Sequence, residues 1–446
     1  MSDTAIPLSF TQEFLCMFGD GGETGPFGPR YHGVRGWRLR GALKVDALRG
    51  ALEDVAARHE ALHTAIVQEG DERYQEILPP AAPELTIEEV TAVDPIDRDR
   101  RAEEFVNEIE SGELSVRTIP HLRAVLGRFD EDDSVLVLVA HHVAIDGWSM
   151  QLIMQDIAAS YAARSGDGCP WLGEVTQYRE YAVWQKASLA DGPTDEVREY
   201  WRDKLRDARM LGISADRRQP AGGDDRVTSV HRFLIDADLT DATQKLARKM
   251  RGSPFMILLA AYQVLLHGLT GADDVVVPTI SFGRGHARFE NTVGPFFNFL
   301  PLRTDLAECK TLRDVVSATR TTCMEAQTNE VPFAFIMAEA PDLMSTFADE
   351  SLAVAAFQVF QYSGANGGET GNLKYAEIRR RLLSQPQGSD IPDGALWTLE
   401  IDPDVGEMYG NLRYNTGEFD DGTIETMVHE FQRALRKVVT APDSAL

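Results

Sequence analysis

Two adjacent histidines, an aspartate and a glycine stand together in His141-His-Val-Ala-Ile-Asp-Gly-Trp-Ser149, the segment whose residue types and spacing can do chemistry. Unperturbed imidazole titrates near pH 6.5 and is neutral at working pH, so it can take a proton from an alcohol or an amine. Side chains alternate along a strand, so His141 and His142 point to opposite faces. That disfavours joint metal chelation, which uses i,i+2 or i,i+4 spacing to bring ligands to one side. One histidine can face a cavity while the other faces a core. Gly147 lets the backbone take an unusual conformation or lets a substrate approach closely. Asp146 can hold the turn by hydrogen bonds or by pairing with an arginine. A packed histidine couple with no catalytic role has the same two residues; the Asp-Gly that follows weighs against it.

The elements that must position this segment are legible from periodicity. Val135-Leu-Val-Leu-Val-Ala140 follows the acidic turn Asp130–Asp133 and reads as a buried strand. After Gly147, the residues Trp148, Leu152, Ile157 and Tyr161 recur at helical intervals, so the unit is strand, tight turn, helix. Upstream, Leu48, Leu52, Val55, Ala56 and Leu62 predict an amphipathic helix within 46–66 that turns into a strand. Downstream, 175–211 is helical with anchors Tyr181, Trp184, Tyr200 and Trp201, and 216–225 is a polar loop. Strands are predicted at 227–235 and at 275–280, the latter ending in Ser281-Phe-Gly-Arg284, with a buried helix at 254–266 between them. This alternation places the chain in the α/β class. The change of texture over 165–225 marks a boundary between two halves. The stretches Gly19–Gly28 and Gly364–Gly371 lack G-x-x-x-x-G-K-[ST] and read as mobile loops, not phosphate cradles.

Composition narrows the function further. The 446 residues are 43% hydrophobic and carry a formal charge of −26, which argues against a nucleic-acid partner. No stretch approaches the roughly 18 apolar residues of a membrane helix, and the first residues lack a signal-peptide pattern. Cys16, Cys169, Cys309 and Cys323 are widely spaced and read as reduced thiols of a cytoplasmic protein, not as a disulfide frame or zinc site. Arg379, Arg380 and Arg381 form a basic cluster that is either a docking patch or, more commonly for such runs, a solvated face.

The segment 141–147 closely resembles the H-H-x-x-x-D-G signature of condensation domains of nonribosomal peptide synthetases, and companions follow in the family's order. Leu8-Ser-Phe-Thr-Gln12 is similar to S-x-A-Q, with Glu13 where an arginine is usual. Arg58-His-Glu-Ala-Leu-His-Thr64 resembles R-H-E-x-L-R-T, with His63 replacing arginine. Tyr178–Trp184 resembles the fourth motif, 275–284 the strand ending in G-R, Val293–Asn298 the G-x-F-V-N motif, and Val331–Phe333 the sixth. Of the seventh only Phe357-Gln-Val359 remains, which leaves the lining of the second half open. Most companions read as structure: Tyr181, Trp184, Phe296 and Phe333 as core, Arg58 and His59 as braces. Asn298 has two equal readings, a bond to a pantetheine arm or to buried backbone.

The resemblance implies two chloramphenicol acetyltransferase-like lobes in a V, residues 1–175 carrying the histidine motif and 176–446 forming the second, with a tunnel at the seam. It implies that His142 faces the channel as the catalytic base, with His141 and Asp146 as supports and Arg284 as the partner of Asp146. Gly147 would admit the thioester and offer its N–H to the oxyanion, and Trp148 and Asn298 would line the channel. No cofactor is expected beyond the phosphopantetheine arm of a carrier protein, which with its activating enzyme would act in trans. The implied reaction is transfer of an acyl or aminoacyl group from that thioester to a small-molecule alcohol or amine in natural-product biosynthesis. Ester formation is favoured by analogy with free-standing members such as those of enediyne antibiotic pathways. Amide formation, epimerisation and a catalytically inactive partner-recruiting module are the alternatives. A serine hydrolase lacks support, since there is no G-x-S-x-G elbow.

Overall fold

An unbroken apolar run such as 135–140 belongs in a strand covered on both faces. The computed structural model, which describes residues 5–19, 22–70, 72–92, 94–166, 173–218, 227–361, 367–391 and 394–446, places it there. The first half contains α1 (Phe10–Cys16), β1 (His32–Arg40), α2 (Val45–Arg58), β2 (Thr64–Glu69), β3 (Glu72–Ile77) and β4 (Glu84–Glu89). It continues with α3 (Pro95–Glu110), β5 (Leu122–Arg128), β6 (Asp133–His141) and α4 (Gly147–Ser165). Then come α5 (Tyr178–Ser188), α6 (Asp195–Lys204), β7 (Gly212–Ser214), β8 (Thr228–Ile235), α7 (Ala237–Lys249) and α8 (Pro254–Thr270). The chain proceeds through β9 (Asp274–Ser281), β10 (Asn298–Asp305), α9 (Leu312–Thr328), α10 (Phe333–Glu339) and β11 (Leu352–Gln361). It ends with β12 (Gly367–Thr370), β13 (Leu373–Glu377), β14 (Ala395–Asp402), β15 (Glu407–Asn415) and α11 (Asp421–Thr440).

β6 lies between β1 and β5, antiparallel to both, in a six-stranded sheet of order β12-β13-β1-β6-β5-β4. The period of two sorts its side chains into two cores. Leu136, Leu138 and Ala140 pack with Leu48, Leu52 and Val55 of α2 and Ile153 and Ile157 of α4. Val135, Val137 and Val139 pack on the other face against Ala102, Phe105 and Val106 of α3. Each fully buried branched side chain contributes about 1.5–3 kcal/mol, which fixes the register of the strand that delivers the histidines. Asp156 of α4 ties α2 down: it accepts from Arg58 Nε and contacts His59 Nε2, both at 2.8 Å. Arg58 and His59 are thus braces.

The second sheet has the order β7-β11-β14-β15-β8, with the β9–β10 ribbon beside it. Thr279 of β9 donates to the Phe357 carbonyl of β11 at 2.6 Å and joins the two. α8 is apolar all round and therefore buried: Tyr262 stacks on Phe357 with centroids 4.7 Å apart, and its hydroxyl donates to the Ala355 carbonyl. Ser253 caps its start, Pro254 opens its first turn, and Gly271 ends it at φ 70°.

The glycine-rich stretches differ from expectation. Gly25–Phe27 is a 3₁₀ turn, and Gly367–Thr370 is not loop but strand β12. The β12–β13 hairpin lies beyond residue 175 in the sequence, yet it extends the first sheet, β13 pairing antiparallel with β1 from Trp37↔Glu377 to Arg40↔Lys374. Cys169 and parts of 19–28, 216–225 and 364–371 lie outside the described residues. Cys16, Cys309 and Cys323 are free thiols. No single described helix is long and apolar enough to cross a membrane; α7 and α8 reach that length only as a pair bent by 106°.

Candidate active site

Asp146 creates the site by starting a helix. Its backbone is extended, and its carboxylate accepts from the Ser149 N–H at 2.7 Å, so it is the N-cap that turns the chain from β6 into α4. Gly147 is the first helical residue, and the N–H groups of a helix's first turn have no intrahelical acceptor. The same carboxylate is gripped by Arg284, Nη2 on Oδ1 at 2.8 Å and Nε on Oδ2 at 3.0 Å. The side chains are 8% and 1% exposed, so this bidentate pair is buried. Arg284 also donates to the Phe289 and Thr292 carbonyls and lies 4.1 Å above the Phe296 ring. Ser149 Oγ, 2.6 Å from Asp146, accepts from the Gly294 N–H at 3.1 Å. The turn after β6 and the 284–296 segment are therefore one hydrogen-bonded block.

The two histidines have separate surroundings. His141 is fully buried, with Nε2 3.0 Å from the Gly28 carbonyl and Nδ1 accepting from the Val143 N–H at 3.3 Å. Those partners assign the proton to Nε2. Burial, reinforced by nearby His121, pushes its pKa down to about 3, so His141 is a neutral structural ring. The His142 N–H donates to the Tyr31 carbonyl at 3.1 Å, and its ring lies 5.2 Å from the Tyr31 ring. Its imidazole borders a cavity of about 320 Å³ together with Tyr31, Gly33 and Arg35 of the β1 end and Gly147 and Met150 of α4. A Cβ at Gly33 would lie 3.6 Å from His142 Cε1 and 3.8 Å from Nε2, so the missing side chain leaves the ring edge open. Burial lowers the His142 pKa to about 4, with His32, then Arg413 and Arg35, acting in the same direction and a hydrogen bond to the Ile145 backbone opposing them. The ring is enclosed by protein yet keeps contact with the cavity.

A second cavity of about 820 Å³ shares Ile280, Phe282, Phe296, Phe297 and Phe299 with the first, so the two have a common wall, and His142 lines the smaller. Asn298 lines this larger cavity, but its amide is spent on the 330–333 loop: it donates to the Val331 carbonyl at 2.9 Å and accepts from the Phe333 N–H at 3.0 Å. These backbone bonds are those of its second reading. Trp148, expected as lining, borders neither cavity; its indole N–H donates to the Glu290 carbonyl at 3.0 Å and its ring meets Phe282 edge-on, which braces the 282–290 loop instead. Tyr181, Phe296 and Phe333 are buried core residues that also form the larger cavity's wall, and Trp184 lines it half-buried.

The basic run needs the largest correction. Arg379 and Arg381 are neither a docking patch nor a solvated face: both line the His142 cavity, and only Arg380 is exposed, 3.5 Å from Glu407. Arg379 pairs with buried Glu377 at 2.6 Å, a carboxylate that Arg35 reaches at 3.6 Å and Gln151 of α4 at 2.8 Å. Arg35 also pairs with Glu400 at 2.9 Å. Arg381 joins Arg232 and Arg413 around Glu110. Glu110 ends α3, where the helix dipole disfavours a carboxylate. The three guanidiniums outweigh burial and hold it well below the usual carboxylate range. Sequence reading missed Tyr31, Gly33 and Arg35 of the β1 end, Arg232 of β8 and Arg413 of β15, which have no local motif. Among the described residues no group of three or more His, Cys, Asp or Glu is arranged to hold a metal ion.

Comparison with known proteins gives the chain's family. A family model described as Condensation domain matches residues 5–446. One of the linear gramicidin synthase proteins of Brevibacillus parabrevis is 31% identical over 456 residues, which cover 100% of this chain and 6% of that protein. Phosphinothricin tripeptide synthetase PhsC of Streptomyces viridochromogenes is 29% identical, covering 99% of this chain and 40% of the synthetase. The chain thus spans a small part of the curated relatives it matches. Among solved structures, SgcC5 from Streptomyces globisporus has a TM-score of 0.94 and 47% identity, covering 99% of this chain and 100% of that one. The X-domain from teicoplanin biosynthesis follows at TM-score 0.79 and 25% identity, covering 100% and 97%. The first condensation domain of the calcium-dependent antibiotic synthetase, 19% identical at TM-score 0.76 and covering 100% and 98%, shares the fold.

Proposed function

Because this chain belongs to the condensation-domain family of nonribosomal peptide synthetases, we propose that it transfers an acyl or aminoacyl group from a carrier-protein thioester to a small-molecule acceptor, with an ester as the favoured product. The observation that carries this reading is His142, a neutral imidazole on a cavity that also borders the first residue of α4. A thioester needs no enzyme nucleophile. It needs a base for the acceptor and support for the oxyanion.

The acceptor hydroxyl hydrogen-bonds to His142, and its oxygen attacks the thioester carbonyl as the proton passes to the imidazole. The carbonyl oxygen becomes an oxyanion, for which the Gly147 N–H at the positive end of α4 is a candidate donor. Collapse of the tetrahedral intermediate breaks the C–S bond, and the imidazolium returns its proton to the departing thiolate. At a resting value of about 4 the imidazole is a weak base; negative charge growing beside it raises its proton affinity as the reaction proceeds. Asp146 and Arg284 fix the turn and take no proton. No resident cofactor is required, since the phosphopantetheine arm of the carrier delivers the acyl group.

The ester preference draws support from the Streptomyces globisporus relative, whose structure holds (R)-(−)-1-(2-naphthyl)-1,2-ethanediol, a diol. The test supplies one acyl group in three forms, on a carrier protein added in trans, on a short pantetheine mimic and as the free acid, each with a panel of alcohols and amines. Mass spectrometry should find product fastest from the carrier form, slowly from the mimic and none from the free acid. Efficient use of the free acid with ATP would overturn the thioester reading, and exclusive reaction of amines would overturn the ester preference.

A further inference from the structure

Among the described residues, the arginines around the His142 cavity outnumber the carboxylates bonded to them. Arg35 and Arg379 are balanced by Glu377 and Glu400. Arg232, Arg381 and Arg413 share the single carboxylate of Glu110, and the next nearest, Glu103, is bonded to the Leu383 N–H. Asp390, which also lines the cavity, is taken by Arg30, so counting Glu103, one guanidinium remains in excess among the described residues. The partial negative charge at the α3 C-terminus removes some of that excess, and the hydrogen-bond partners place what remains. Arg232 donates to the Leu383 carbonyl, to Gln385 and to Glu110, and Arg381 to Asn107 and Glu110. Arg413 is different: only Nη2 has a protein acceptor among the described residues, Glu110 at 3.0 Å, and its buried Nε has none.

Arg413 lies on β15 with Asn411 two residues earlier, and alternation puts both on the cavity side while Met408, Leu412 and Tyr414 fill the core. The Asn411 amide oxygen also lacks a partner. An amide turned over presents N–H at the same place, so the strand offers one unused donor, Arg413 Nε, and an amide able to supply a second at the site of the surplus positive charge.

We propose that this part of the cavity is a subsite for a single anionic oxygen group of a substrate, a carboxylate being the simplest, held by Arg413 with Asn411 beside it. The proposal rests on the reading of this cavity as the substrate cavity and deepens it: one of the two substrates carries an anion away from the reacting carbonyl. Seating that anion cancels charge that now helps to keep His142 from taking up a proton. Substrate binding thereby makes the imidazole a better base only when the right substrate is present.

The test needs no turnover, so it stands apart from the acyl-transfer reading. Benzoate and its neutral isostere benzamide are titrated into the full chain by calorimetry, with wild type, Arg413→Gln and Arg413→Lys. Wild type should bind benzoate at least about tenfold more tightly than benzamide, Arg413→Gln should bind the two alike, and Arg413→Lys should keep part of the preference. No preference in wild type, or a preference that survives in Arg413→Gln, overturns the subsite. If Arg413→Gln does not fold, wild type and Arg413→Lys decide. In assays of an active preparation, benzoate should raise the apparent KM of the acceptor if the acceptor brings the anion, or of the acyl carrier if the acyl group does. Competition with neither overturns the assignment to a substrate.

Discussion

Arg284 reaches Asp146 across 138 positions of sequence and grips both of its oxygens, at 2.8 and 3.0 Å. The carboxylate it grips is at the same time the N-cap of the helix whose first residue borders the His142 cavity. One ion pair therefore sets where α4 begins, how the His142 turn is held and where the 284–296 segment lies against it.

Asp146→Ala and Arg284→Ala should each lower the melting temperature, since either leaves a buried charge without its partner, a loss of roughly 3–5 kcal/mol. The double variant should lose less than the sum of the two. Thermal unfolding of all four proteins checks this. Unchanged stability with abolished activity would instead make Asp146 a direct participant in the chemistry.

His142→Ala should lose about 10² to 10⁴-fold in single-turnover rate, the usual contribution of a general base, with its melting temperature preserved. In the wild type the acid limb of the rate profile should lie well below pH 6.5, because the ring stays neutral down to about pH 4. An acid limb centred at 6.5 would show that some other group controls the reaction.

His141 and His121 are buried, and burial pushes their pKa values down to about 3 and about 4. The unfolded chain, with imidazoles near 6.5, binds protons first as pH falls. Stability is therefore full above about pH 6.5 and declines between there and pH 4, at about 1.4 kcal/mol per pH unit for each of the two protons. Replacing His121 by Asn should flatten the slope of stability against pH between those limits. A slope unaffected by that change would remove His121 from the acid response.

Gly33→Val should fill the space beside the His142 ring edge. The nearest obstacle to a Cβ is Ile145 Cδ1 at 3.0 Å, the end of a flexible side chain, so the fold should survive. A loss on the order of 10 to 100-fold in kcat/KM is expected, from displaced substrate or imidazole. Full activity would place the substrate on another side of the ring.

What the sequence disclosed and what it concealed follow from range. The strand at 135–140, the turn and the helix after Gly147 are local patterns, and the Asp146–Arg284 pair was reachable because each member closes a recognisable motif. Arg381 looked like surface because a run of three arginines usually is, and nothing near it in sequence announces Glu110, which is 271 positions away. Trp148 was misplaced for a related reason: adjacency to the motif suggested lining, while the Glu290 carbonyl that fixes its indole lies on a distant loop. Gly367 and Gly368 read as loop because glycine disfavours strands. Yet a Cβ on Gly367 would come within 1.9 Å of the Tyr375 carbonyl oxygen, so close hairpin pairing is what requires glycine there.

That hairpin also bears on how the molecule can be recombined. Exchanging halves with a relative at a junction near residue 175 would pair β1 of one parent with β13 of the other. Trp37↔Glu377 and Leu39↔Tyr375 would then become mixed-parent contacts, as would the links from Arg35 and Gln151 to Glu377. Residues 367–377 are heritable with the amino-terminal half, and a chimera that carries them along keeps the sheet around β6 intact whichever carboxy-terminal half it is given.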